Sequence, residues 1–149
     1  MVDLSVSIVH MYHLAQTLDC LRSIFAGTHK TSLEVFVIDN SCRDGEGQLI
    51  LAEFPQVILI RNISRAGFST NHNKALSRAT GRYLCILNDD TVVQPGAFDM
   101  LVAFMDEHPK VGACGPKLVR PDGSNQPAFC KFTNPVEELL VMPFLFRFA

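Results

Sequence analysis

The chain has 149 residues, a length that suits one domain. Apolar residues make up 48% and charged residues 19%, an ordinary globular balance that can bury a core. The formal net charge of −2 excludes a general basic field for nucleic acid, so any phosphate binding must come from a local site.

Val6-Ser7-Ile8-Val9 reads as a first strand. Leu14, Leu18, Leu21 and Phe25 follow at helical spacing, and Gly27 can stop that helix. The β-branched run from Leu33 to Ile38 predicts a second strand, followed by turn chemistry from Asp39 to Gly45. A short helix runs to Phe54 and is closed by Pro55. Val57 to Ile60 reads as a third strand. Phe68, Ala75, Leu76 and Ala79 suit a helix ending at Gly81. Tyr83 to Leu87 reads as a fourth strand, apolar on both faces. Pro95 suits the first turn of a helix whose buried face carries Phe98, Leu101, Val102 and Met105, and Pro109 ends it. Val111 to Cys114 is a candidate fifth strand, and Pro121-Asp122-Gly123 reads as a turn or hairpin. Strands separated by helices predict a three-layer α/β/α fold with a mainly parallel sheet.

Cysteines stand at positions 20, 42, 85, 114 and 130. None forms a C-x-x-C pair, and the odd count fits a reduced compartment, with buried structural thiols as the expectation. Met1-Val2-Asp3-Leu4-Ser5 lacks a basic stretch and runs straight into strand one, and no apolar run is long enough to span a bilayer. The expected location is the cytoplasm.

Ligands of open parallel sheets bind beyond the carboxyl ends of the strands. The polar residues gather there, with Asp39 after the second strand and Asn88-Asp89-Asp90 after the fourth, which are expected to be neighbours in the sheet. Asn88-Asp89-Asp90-Thr91 offers hard oxygens for Mg²⁺ or Mn²⁺, and it equally suits a solvated turn or an N-cap. Asp39 could accept hydrogen bonds from a base or ribose, or open an Asx-turn. Gly67, in Arg65-Ala66-Gly67-Phe68, would let backbone approach a ligand closely, at a helix start that offers free N–H groups to a diphosphate; an ordinary loop-to-helix junction is the other reading. Gly45-Glu46-Gly47 lacks the third glycine of a dinucleotide fingerprint and follows the wrong strand. There is no P-loop and no Gly-x-Ser-x-Gly elbow, and the histidines are scattered.

In order, these segments resemble the family 2 glycosyltransferases of the GT-A fold, the Rossmann-like nucleotide-diphospho-sugar transferase fold, over roughly residues 5–130. The first strand through Tyr12 is similar to that family's opening strand and nucleotide-contacting Tyr-Asn, with His13 where asparagine is usual. Val35 to Ser41 with Asp44-Gly45 is similar to the second-strand motif, whose aspartate contacts the base, so Asp39 inherits that role. Arg65-Ala66-Gly67-Phe68 with Asn73 looks like the Asn-x-Gly-Phe motif and its downstream asparagine, Arg65 standing for the first asparagine. Leu87 to Thr91 resembles the Leu-Asn-x-Asp-Thr form of the metal-binding DxD motif. Asp90 and Asn88 are then the metal ligands, and Asp89 belongs to the nucleotide-sugar site. Gly115 to Leu118, Asp122-Gly123 and Gln126-Pro127 lean toward the rhamnosyltransferase-like branch.

The resemblance implies metal-dependent transfer of a sugar, with inversion, from a UDP- or dTDP-sugar to a hydroxyl of a saccharide or lipid-linked acceptor, as in cell-envelope polysaccharide synthesis. Residues 1–130 are expected to bind the nucleotide sugar, and 131–149 to be an apolar tail that begins a missing acceptor half. That half carries the family's general base, so no catalytic residue is assigned here. Glu137 and Glu138 belong to an amphipathic helical start. The chain is expected to retain donor binding only; the alternative is a non-catalytic nucleotide-binding or interaction module completed by another chain. Val141, Phe144, Leu145, Phe146 and Phe148 would face a partner chain, or the inner face of a membrane, or pack on the chain's own sheet.

Overall fold

A computed structural model describes residues 1–27, 29–43 and 45–127. The chain divides into two compact units, Met1–Cys114 and Gly115–Ala149. The expected boundary at residue 130, Glu137, Glu138, Cys130 and the apolar tail lie outside the described residues.

In the first unit, β1 (Leu4–His10), β2 (Leu33–Asp39), β3 (Ile58–Arg61) and β4 (Tyr83–Leu87) form one parallel sheet in the order β3-β2-β1-β4. The connecting helices are α1 (Leu14–Ala26), α2 (Glu46–Glu53) and α3 (Phe68–Leu76), with α4 (Ala97–Glu107) following β4. Period-two alternation divides the core. Leu4, Val6 and Ile8 of β1 join Val35 and Val37 of β2 under Leu21 and Ile24 of α1, Ile50 of α2 and Phe98 and Val102 of α4. On the other face, Phe36, Ile38 and Ile60 pack with Ala75 of α3. This is the expected three-layer α/β/α architecture.

β2 and β4 are not the neighbouring strands that the sequence predicts for Asp39 and Asp90: β1 lies between them. The strand order reverses between β1 and β4, the kind of switch point where open α/β sheets bind ligands. Nor is β4 buried on both faces, because α3, on the face away from the main core, packs over β1 and β2. Leu84 and Ile86, opposite Ser5 and Ser7 of β1, are 53% and 52% exposed.

α3 stops at Leu76 rather than near Gly81. Ser77 and Arg78 close it in a tightened turn, and Glu34 accepts hydrogen bonds from the Thr80 and Gly81 amides. α4 begins at Ala97, because Pro95 lies in the preceding turn and Gly96, at φ 77°, caps the helix. Val111 to Cys114 forms no strand; Val111 turns back to donate to the His108 carbonyl. In the second unit, β5 (Leu118–Val119) and β6 (Asn125–Gln126) make the hairpin anticipated at Pro121-Asp122-Gly123. Gly123 at φ 83° follows the turn, as a three-residue hairpin loop requires.

Candidate functional site

Asp39 ends β2 and is 2% exposed. Its Oδ1 accepts from the Ser41 amide at 3.1 Å and the Ser41 hydroxyl at 2.6 Å, the geometry of an Asx-turn. Its Oδ2 lies 3.8 Å from Arg61 Nε. An open cleft of about 310 Å³ is lined by Asp39, Cys42, Arg61, Asn62 and Ile63. The turn therefore fixes one carboxylate oxygen and leaves the residue facing a cleft. Cys42, at φ 55°, is the non-glycine residue with a left-handed backbone among the described residues. Gly47 permits the close packing of α2, since a Cβ there would lie 2.9 Å from Asp39 Oδ2 and from Leu59 Cδ2.

Tyr12 and Arg65 come from different loops and meet above the sheet ends. The Arg65 guanidinium donates to the Tyr12 hydroxyl at 3.2 Å and lies 5.0 Å from the ring centroid. His13 is exposed beside them and caps α1 with its backbone alone. Gly67 caps α3. A Cβ on it would meet nothing within 4 Å, so the space beside this helix start is open.

The loop that carries Arg65 rests on buried amides. Asn62 Nδ2 lies 2.8 Å from Asn40 Oδ1 and 2.7 Å from Asn71 Oδ1. Asn40 Oδ1 accepts from the Ala66 amide at 2.9 Å, and Asn71 donates to the Ala66 carbonyl at 2.9 Å. Lys74 donates to Asn62 Oδ1 at 2.6 Å. Satisfied buried amides of this kind fix a loop, because breaking one leaves an unpaired polar group. Asn71, rather than the exposed Asn73, is the asparagine that α3 turns into this network.

Asn88, Asp89 and Asp90 follow β4 in a turn, and the helix beyond is capped by Gly96, so these residues are no N-cap. Asn88 and Asp90 are exposed. Asp89 is half-buried, and its Oδ2 accepts from Thr17 Oγ1 at 3.1 Å. The chemistry of this donor set, two carboxylates and an amide, suits a hard cation. Among the described residues no group of three or more His, Cys, Asp or Glu side chains is gathered for a metal. A cation here would need phosphate oxygens and water to complete its shell, which is how Mg²⁺ is commonly held.

The burial expected of the cysteines holds for Cys20, whose thiol is pushed up to about 12, first by burial and then by the nearby Asp89 charge. Burial likewise raises partly buried Cys85 to about 11. Cys42 and Cys114 are exposed, contrary to that expectation, because both sit in irregular loops rather than in a strand or helix of the core.

Sequence reasoning did not single out His10, Thr17, Glu46, Gly47, Arg61 or Asn62. His10 and Arg61 end β1 and β3, so the strand-end rule that marks Asp39 would have marked them as well. Glu46 and Gly47 were set aside as a failed fingerprint. Their actual partners, His10 and Asp39, lie in other strands.

Residues 8–146 match the family model described as Glycosyl transferase family 2. The chain is 26% identical over 119 residues to N-acetylglucosaminyl-diphospho-decaprenol L-rhamnosyltransferase of Mycobacterium tuberculosis, covering 72% of this chain and 38% of that protein. It is 31% identical over 109 residues to the O-antigen biosynthesis protein RfbC of Myxococcus xanthus, covering 71% of this chain and 8% of that protein. The fold is similar to the crystal structure of S. aureus TarS 1-349 in complex with UDP-GlcNAc, with a TM-score of 0.62 and 22% identity, covering 72% of this chain and 32% of that one. The chain thus spans well under half the length of these relatives. No helix among the described residues is long and apolar enough to cross a membrane. With the family model matched over nearly its whole length, the chain belongs to glycosyl transferase family 2.

Proposed function

We propose that this chain binds the nucleoside diphosphate of a UDP- or dTDP-sugar, and that the protein it represents transfers the sugar to a saccharide or lipid-linked acceptor hydroxyl with inversion. The observation that supports this best is the cleft and turns at the carboxyl ends of β2, β1 and β4, which carry Asp39, Tyr12 with Arg65, and Asn88 to Asp90. In this reading Asp39 receives the base or ribose. Tyr12, His13, Arg65, Gly67, Asn73 and Asp89 line the path of the nucleotide sugar. Asp90 and Asn88 hold Mg²⁺ or Mn²⁺. The cation supplies charge neutralisation to the leaving diphosphate. The chain itself binds and orients the donor, and the general base lies in the family's C-terminal half. A lipid-linked acceptor would bring the protein to the cytoplasmic face of a membrane.

Isothermal titration of the folded chain with UDP and with dTDP, each with Mn²⁺ or Mg²⁺, tests donor binding. Saturable, metal-dependent binding is expected, weakened about tenfold or more (~1.4 kcal/mol) by Asp39→Asn or Asp90→Ala. No binding of either nucleotide would overturn the proposal. A second reading, a binding module completed by another chain, draws on the exposed Leu84 and Ile86 of β4. A monomer in sedimentation at high concentration, unchanged by Leu84→Ser, would argue against it.

A further inference from the structure

His10 closes β1, the strand between β2 and β4, and its imidazole is fully buried. Nδ1 lies 2.8 Å from Thr17 Oγ1 on α1, and Nε2 lies 3.1 Å from Glu46 Oε2 at the start of α2. Both partners lead to the candidate site. Thr17 donates to Asp89 Oδ2 at 3.1 Å. Glu46 accepts from Arg43 at 3.3 Å and opens α2, whose Gly47 packs so close to Asp39 that a Cβ there would lie 2.9 Å from Oδ2. A line of contacts thus runs from Asp39 through the start of α2, His10 and Thr17 to Asp89. It crosses the ends of β2, β1 and β4.

His10 is thus held at both ring nitrogens, one bond reaching α1 and the other the start of α2.

A buried, satisfied histidine is ordinarily a packing residue. This one spans no apolar gap; one of its bonds runs to the partner of Asp89 and the other to the helix start that packs on Asp39. Resting on the donor-binding reading above, we propose that His10 is a positioning residue. Through Thr17 and Glu46 it fixes Asp89, at the diphosphate end, relative to Asp39, at the base end, so that engaging one end of a nucleotide orders the other.

A double-mutant cycle tests this. Asp39→Asn and Asp89→Asn, singly and together, are titrated with UDP and Mn²⁺ in the wild-type, His10→Asn and His10→Gln backgrounds. Asn can replace the bond made at Nδ1 and Gln the bond made at Nε2, but neither replaces both. In the wild type, the combined loss of affinity is expected to differ from the product of the single losses by about threefold or more. In both His10 variants the losses should multiply within about twofold. Nitrogen-15 NMR of the free chain supplies a measurement that does not depend on those variants folding. Both ring nitrogen signals of His10 are expected to shift on adding UDP with Mg²⁺. Failure of UDP to bind the folded wild-type chain overturns the donor-binding reading and this role with it. UDP binding with multiplicative cycles in the wild type, or with unchanged ring signals of His10, overturns the role of His10 alone.

Discussion

Gly67 caps α3 at φ −71° and ψ 167°, angles that any residue adopts, and a Cβ there would point into open space. Nothing in the fold requires a glycine; in the donor-binding reading the missing Cβ leaves room for a phosphate. Gly67→Ala should leave thermal stability unchanged or raise it by up to about 1 kcal/mol, because alanine restricts the unfolded chain. The same change should weaken UDP binding about tenfold, as a methyl group would occupy space that a phosphate needs. Equal UDP affinity would remove Gly67 from the site. Gly47→Ala behaves oppositely, since its Cβ would strike Asp39 Oδ2 and Leu59 within the fold itself. Cys42 offers a direct probe of the cleft that it lines with Asp39 and Arg61. Iodoacetamide followed by peptide mass spectrometry should label exposed Cys42 and Cys114 and spare Cys20, whose thiol is buried and raised to about 12. UDP with Mg²⁺ should protect Cys42 and not Cys114. Equal labelling with and without nucleotide would move the base away from this cleft.

At the scale of elements, β4 shows why strand existence was legible and strand environment was not. Tyr83-Leu84-Cys85-Ile86-Leu87 is apolar at every position, the pattern of a strand covered on both faces. The pattern identifies the strand but says nothing of what covers it. Tyr83, Cys85 and Leu87 pack against the main core, while Leu84 and Ile86 remain exposed. Leu84→Ser and Ile86→Ser should therefore shift the urea midpoint little, by under about 0.5 kcal/mol in stability each. Leu21→Ala, at a fully buried position of α1, should cost about 2–5 kcal/mol. A large loss at Leu84 or Ile86 would mean that this face is covered in solution. The helix ends followed the same logic. Gly27 after α1 and Pro55 after α2 are local stop signals and were read correctly. The end of α3 was missed because its stop is tertiary: Glu34 of β2 accepts from the Thr80 and Gly81 amides.

At the scale of the molecule, the parallel sheet and its covering helices were readable because alternating strand and helix periods leave few topologies. Asp39 was readable as a polar residue ending an apolar strand. The line through His10 was not, since it joins residues 10, 17, 46 and 89 that only the β1–β2 and β1–β4 pairing brings together. The same pairing gathers carboxylates whose hydrogen bonds tie distant segments, and these set how the whole unit responds to acid. Asp3 is lowered to about 2 by bonds from Ser32 and then Arg82, and Asp99 to about 2 by bonds from Thr31 and then Lys30. Asp106 is lowered by Arg82 and Tyr83. Burial raises Glu34, but bonds from Ser5, Thr80 and Gly81 outweigh it and leave the group lowered. Each folded-state value lies below the unfolded one, so the folded state binds fewer protons than the unfolded chain. The contribution is complete above the unfolded values, near about pH 4, and is lost as pH falls toward about 2. These groups lie near the surface, so each contributes modestly and added salt weakens it. Burial lowers His72, so the urea midpoint should begin to fall below about pH 6.5, and the carboxylates add a further fall between about pH 4 and about pH 2. Asp99→Asn should lower the midpoint at neutral pH and flatten the acid slope, because the clamp between α4 and residues 30 and 31 no longer titrates. An unchanged slope in that variant would show that the clamp contributes nothing to the fold, and would leave the acid response to the bonds of Asp3, Asp106 and Glu34.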